Sequence, residues 1–355
     1  MYKKFFMGIA AIAALTLVSC SSDDLNSLSD NSSKNEAISF DGYLGRSAVA
    51  VNGSRGSEVK IDDLQKSKDG FGVFGNYSST EGTGTTPTYG NNWFDNQQVK
   101  YDTKWTYSPL KYWLPKGHID FLAYAPYNAG TVKEPYSLDF NVSSTIDDQI
   151  DLLWAHADNQ TKANIPVKFN FNHALAKIGY TVKTNVEGTV TTITLKKITL
   201  AGSTTDPKKE TFYTKGTIDL SKTKGATDLW TTSTFPERQN FEWYKGTTYN
   251  VTTSPSHPND NREKDKDYLF VIPQNFEQGH DDLYVIVDYT INYNLGKPGT
   301  IKTMDYQVSS KIEKNFEQGK AYMINLTIGL TPIDFDVNVV NGWVDDNTIP
   351  EIPLN

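Results

Sequence analysis

An all-β protein with more than one sandwich is predicted by three observations. Segments with apolar residues at every second position recur along the chain, and Gly, Pro, Asn and Asp clusters separate them. Twenty tyrosines and seventeen phenylalanines, with abundant threonine, outweigh the few runs of good helix formers. Roughly 335 residues remain beyond an N-terminal export segment, more than one average domain, so two are expected.

Taken in order, the chain begins with Lys3 and Lys4 ahead of an apolar run from Phe5 to Val18. The run is shorter than the roughly 20 residues a membrane helix needs, and residues 1–19 read as an export signal. It ends in Leu17-Val18-Ser19-Cys20, which resembles the lipobox of bacterial lipoproteins. That resemblance implies a Cys20 carrying fatty acyl chains such as palmitate, which becomes the mature N-terminus and anchors the precursor to the outer membrane. Cys20 is the only cysteine, so an intrachain disulfide is excluded. Residues 20–36 are polar and acidic without a periodic face, a flexible linker that would span roughly 20–24 Å.

The first strand follows at once. Ile38, Phe40 and Leu44 share one face, Ser39, Asp41 and Tyr43 the other, and the phase shifts over Gly45–Ala48, which predicts a bulge or bend. Asn52-Gly-Ser-Arg-Gly-Ser then has the small polar composition at which proteolytic nicking concentrates. Further short strands are expected at Phe71–Tyr77, Ile119–Tyr124, Val167–Phe171, Ile178–Val182, Thr191–Leu200 and Tyr268–Ile272. Three longer period-2 faces complete the set: Leu283 to Tyr293, Tyr322 to Ile328, and Ile333, Phe335, Val337 and Val339. Residues 78–92 and 252–267 read as surface loops, and the two copies of NFEQG, at 275–279 and 315–319, as equivalent turns before strands. The polar, proline-bearing NQTKANIPV suggests a division into residues 37–164 and 165–355.

Chemistry is sparse. The formal net charge of −8 becomes −10 once the signal with Lys3 and Lys4 is removed, and this disfavours nucleic acid as a partner. His118, His156, His173, His257 and His280 show no metal-ligand spacing, and Asp147, Asp148 and Asp151 read as a solvated turn. No G-x-S-x-G elbow or phosphate loop occurs. No catalytic constellation, metal or cofactor is therefore expected. The seven tryptophans are read as packing residues, against the alternative of a sugar-stacking platform on a surface glycan-binding lipoprotein of a nutrient-uptake system.

The stretch NQQVKYDTKWTYSPLKYWLPKGHIDFLAYAPY, residues 96–127, resembles the signature of the Mfa-like fimbrillins, subunits of type V pili. GFGVFGNY (70–77), IDLLWA (150–155), VKFNFNHALAKIGYTV (167–182) and FEQGKAYMINLTIGLTPIDFDVNVVNGW (316–343) extend the resemblance over most of the chain. It implies two transthyretin-like β-sandwich domains in tandem and a structural fimbrial subunit or tip adhesin. It also implies maturation by an arginine-specific protease and donor-strand exchange with other pilus subunits, with surface ligands on host or bacterium. On that reading Ile38, Phe40 and Leu44 belong to a placeholder strand, and Arg55-Gly56 is the cleavage site, with Arg46 as the alternative. Ile333, Phe335, Val337 and Val339 form the candidate donor.

Overall fold

The computed structural model describes residues 36–44, 61–82, 84–187, 191–232, 237–258, 268–294, 296, 300–330 and 334–340. In the first half these form β1 (Phe40–Leu44), α1 (Ile61–Lys66), β2 (Phe71–Ser78), β3 (Phe94–Asp102), β4 (Lys104–Thr106), β5 (His118–Ala125), β6 (Thr131–Glu134), β7 (Ser137–Asn141), β8 (Leu153–Gln160) and β9 (Val167–His173). Seven of the strands make one sheet in the order β1-β9-β8-β5-β2-β3-β4. Every neighbouring pair in it is antiparallel except β1 with β9.

This sheet is covered on both faces, and its central strand shows why. All eight residues of β5 are buried. Ile119, Phe121 and Ala123 enter a core shared with Phe71, Val73, Phe94 and Phe169, while Leu122 and Tyr124 join Phe74 and Trp154 in the core of the second half. A strand covered on two sides needs apolar residues at successive positions, so HIDFLAYA lacks clean alternation.

The second half contains β10 (Ala176–Thr184), β11 (Thr191–Ala201), β12 (Phe212–Tyr213), β13 (Lys215–Asp219), β14 (Trp230–Thr231), β15 (Arg238–Gln239), β16 (Phe241–Val251) and β17 (Leu269–Val271). It continues with β18 (Gln274–Asn275), β19 (Tyr284–Asn294), β20 (Ile301–Lys311), β21 (Asn315–Phe316), β22 (Ala321–Ile328) and β23 (Asp334–Val340). Two four-stranded sheets, β17-β10-β22-β23 and β16-β11-β19-β20, enclose one core. Ile178, Tyr180, Ile324 and Leu326 come from the first sheet, Leu195, Val285, Val287 and Tyr289 from the second. The alternation legible in β19 and β22 is thus the inner face of a sandwich.

The halves are stitched together by backbone. β7 pairs with β13 over Ser137–Asn141, in a sheet ordered β14-β13-β7-β6. Residue 165 falls between β8 and β9, which are adjacent strands of one sheet, and the change of sheet comes between His173 and Ala176. The two NFEQG copies pair with each other: Asn275 opposes Asn315, the Phe276 N–H donates to Lys314 O, and the Phe276 and Phe316 rings lie 5.8 Å apart. Gly279 and Gly319 both take positive φ, the left-handed turn conformation that favours glycine.

Candidate strand-exchange site

β1 is the terminal strand of its sheet, and the residues leading into it are held by backbone on the other side as well. On one side it runs parallel to β9, with Phe40 opposite Val167, Gly42 opposite Phe169 and Leu44 opposite Phe171. Asp41 opposes Lys168 on the other face. β9 itself alternates, with Val167, Phe169 and Phe171 buried and Lys168 and Asn170 exposed, so the register places the apolar side of β1 over the core.

The other side grips the residues leading into the strand. Ala37 bridges Tyr112 antiparallel, the Ile38 N–H donates to Lys111 O at 2.8 Å, and the Trp113 N–H donates to Glu36 O at 3.0 Å. Glu36, assigned to the linker from sequence, is already part of the folded body. Tyr107 completes this edge: its hydroxyl donates to Ile38 O at 2.9 Å and accepts from the Lys111 N–H at 3.2 Å. Burial pushes the Tyr107 phenol above its ordinary pKa, against the opposing effect of its Lys111 backbone contact, so it stays a donor throughout the biological pH range.

Phe40 is the largest anchor, with 4% of its surface exposed. Its ring meets Phe94, Tyr107, Phe121 and Phe169 at centroid distances of 5.4–5.7 Å, and Phe71 at 6.5 Å. Most of these contacts are edge-on, the arrangement ring quadrupoles favour. Ile38 is 1% exposed beside it. Burying these two side chains is worth about 3–6 kcal/mol. Without β1, the amides of Trp113 and Val167 and the carbonyl of Lys111 would lose partners they now have. Such a vacated edge offers both an apolar trough and unpaired backbone, the two things an extended segment repairs.

β23 occupies the edge of another sheet. It pairs antiparallel with β22 along its length, Phe335 opposite Leu326 and Val339 opposite Tyr322. Val337 is half-buried against the second core and Asp336 is exposed. Cys20, Arg46, Arg55, Gly56 and Ile333 lie outside the described residues.

Of the sequence-assigned positions, the structure therefore brings Ile38, Phe40 and the backbone of Leu44 to one slot, and Phe335, Val337 and Val339 to a strand elsewhere. What sequence reading missed is the lining: Tyr107, Lys111 and Phe94 were not singled out. The signal was the aromatic density of WTYSPLKYW, in which Trp105, Tyr107 and Trp113 all enter the core beneath β1. Trp154 and Trp243 are buried as well. Among the described residues, no group of three or more His, Cys, Asp or Glu could hold a metal ion, and no helix is long and apolar enough to cross a membrane.

The comparison with known families matches this architecture. The fimbrillin-like family model aligns with residues 58–343. The chain belongs to the fimbrillin-like family. Its fold is similar to that of a fimbrial protein from Bacteroides vulgatus, at 22% identity and a TM-score of 0.67, over 87% of this chain and all of the other. A candidate cell adhesion protein from Bacteroides ovatus is more distant, at 16% identity and a TM-score of 0.49 over 88% of this chain and 99% of the other. No curated protein matches the chain. The fimbrillin-like match begins beyond β1, so the strand in the slot lies outside the aligned span.

Proposed function

We propose that this fimbrillin-like chain is a structural pilus subunit or tip adhesin of the cell surface, without enzymatic activity. It is exported as a lipoprotein, held through Cys20, and matured by cleavage after Arg55, with Arg46 as the second choice. β1 is then a placeholder: its loss opens the slot between β9 and residues 111–113, and a strand of the next subunit fills it. The observation that carries this reading is the seating of β1, an edge strand whose Phe40 closes a core of five other aromatic rings.

The donor we assign is the segment from Ile333 to Val339 of another copy, which must give up its pairing with β22 of its own chain to donate. Ile333-Asp-Phe335-Asp336 repeats the spacing of Ile38-Ser-Phe40-Asp41, so one register puts isoleucine and phenylalanine into the positions β1 vacates. The acidic residue after the aromatic would meet Lys168, as Asp41 now does in register.

The test is to treat purified precursor with an arginine-specific protease and follow it by gel and electron microscopy. Wild type should give laddered polymers and filaments, and Arg55→Ala combined with Arg46→Ala should stay monomeric. Polymers from the uncleavable variant, or a cleaved wild type that retains β1 and remains monomeric, would overturn the assignment.

A further inference from the structure

Away from the slot, a network of two histidines, two aspartates and a tyrosine, buried at His118 and Asp120 and half-buried at Tyr89, His156 and Asp158, holds the long excursion between β2 and β3 against the first sheet. Asp120 on β5 is 1% exposed. Its two carboxylate oxygens accept the backbone N–H of Thr88 at 2.8 Å and of Asn159 at 2.7 Å. Asn159 has a positive φ of 54° where the β5–β8 register shifts, so the carboxylate also fixes a bulge. His118 lies beside it, with Nε2 3.4 Å from Asp120 Oδ2 and Nδ1 2.8 Å from Thr80 O. Tyr89, from the same excursion, places its hydroxyl 2.9 Å from Asp158 Oδ1 and 3.1 Å from His156 Nδ1. The remaining nitrogen of His156, Nε2, bonds the carbonyl of Leu220, just past β13 in the second half.

Counting protons in this network gives a definite result. A carbonyl only accepts, so Nε2 of His156 carries the hydrogen that meets Leu220 O. The Tyr89 hydroxyl has one hydrogen and two partners. If it donates to Asp158, Nδ1 of His156 must itself be protonated to bond the phenol oxygen. If it donates to His156, Asp158 must be protonated. Satisfying both contacts as hydrogen bonds therefore takes one proton more than a neutral imidazole with an ionised carboxylate. Burial pushes both the Asp158 carboxyl and the Tyr89 phenol upward, so the phenol keeps its hydrogen.

We infer that this network is a proton-dependent latch, in which docking of the 79–92 excursion and of Leu220 onto β5 and β8 takes up protons. The ionisable groups facing the two imidazoles are Asp120 on β5, Asp158 on β8 and Tyr89 from the excursion; the second half contributes the Leu220 carbonyl. The docked form binds more protons than the undocked form, so by linkage docking is favoured on acidification and weakened as pH rises. The excursion reaches the second half through Tyr89, which packs against the larger core and contacts His156, whose Nε2 meets Leu220 O.

Amide hydrogen exchange on the full chain tests this. The rate over residues 79–92 is divided by that over β19 at each pH, which cancels the intrinsic pH dependence. In wild type this ratio should rise between pH 5.5 and 8.5, by up to about tenfold per pH unit for each linked proton. His156→Gln, which keeps a donor and an acceptor but cannot take the extra proton, and Tyr89→Phe should each flatten the rise. A wild-type ratio that does not change with pH, or an equal rise in wild type and both variants, would overturn the proposal. Nitrogen NMR of the imidazoles in wild type decides independently of whether the variants fold. Both nitrogens of His156 protonated, or a protonated Asp158 beside a singly protonated ring, supports the latch. A neutral ring beside an ionised Asp158 at pH 5.5 refutes it.

Discussion

The first sheet and the C-terminal sandwich are closed at their edges in different ways. β23 is joined to its neighbour β22 by a short connection and pairs with it antiparallel, as consecutive strands do. β1 is paired with β9 and with residues 111–113, both remote in sequence, and it runs parallel to β9. One edge is thus closed by the adjoining chain, the other by a segment whose paired strands are remote in sequence. The comparison teaches that a strand can be integral to a core and still be separable from it. Phe40 packs against five aromatic rings of the sheet's core, all contributed by residues far along the chain.

Replacing the anchor side chain at each edge gives the largest contrast. Phe40→Ala should cost about 3–5 kcal/mol, from lost transfer energy and the cavity left among five rings. Val337→Ala, at a half-buried position, should cost about 1 kcal/mol. Urea unfolding of the uncleaved chain followed by tryptophan fluorescence measures both, and equal losses would break the distinction. Tyr107→Phe sharpens it at lower amplitude. The ring stays, while Ile38 O loses its bond to the phenol and the Lys111 N–H loses its acceptor, so about 1–2 kcal/mol should disappear without a change in m-value.

The smallest effect belongs to the sandwich surface. Asp282 accepts from Lys209 at 2.7 Å and lies 3.2 Å from Lys311, and these hydrogen bonds hold its carboxyl below the usual range. A depressed folded-state pKa contributes stability that is present above the ordinary carboxylate pKa and fades as pH falls through the lower, folded value. Solvent screens the pair, since 35% of the Asp282 side chain is exposed, so Asp282→Asn should cost less than about 1 kcal/mol at pH 7. That difference from wild type should begin to shrink as the solution is acidified below pH ~4. Melting curves at pH 7 and pH 3 read it, and a constant difference would show that the charge is irrelevant.

Much of this architecture was legible from periodicity where a strand has one buried face. β9, β19 and β22 match their predicted spans closely because Val167-x-Phe169-x-Phe171 and its counterparts alternate. β20 escaped because it is an exposed edge, where IKTMDYQVSSK has little apolar side to bury. β16 escaped because the register shifts along its pairing with β11 interrupt its period. At the candidate site, alternation in Ile38 and Phe40 identified the strand but not its partner. The parallel register with β9 and the ring cage depend on contacts among residues 40, 71, 94, 107, 121 and 169, which no local pattern encodes. The same holds for the NFEQG copies, whose shared turn was readable while their pairing with one another was not.

The parallel pairing of β1 with β9 also sets an order in time. β1 is the earliest strand among the described residues, yet its partners Tyr107, Lys111 and β9 all follow later, so it cannot be seated until most of the first half exists. Closing so long a loop is slow compared with the formation of adjacent hairpins such as β2 with β3 or β22 with β23. The first strand made is thus among the last to be placed, and through that interval the slot accepts any extended segment of suitable pattern. A newly made chain is therefore most open to mispairing before β1 docks, which makes the rate of that docking a property on which selection can act.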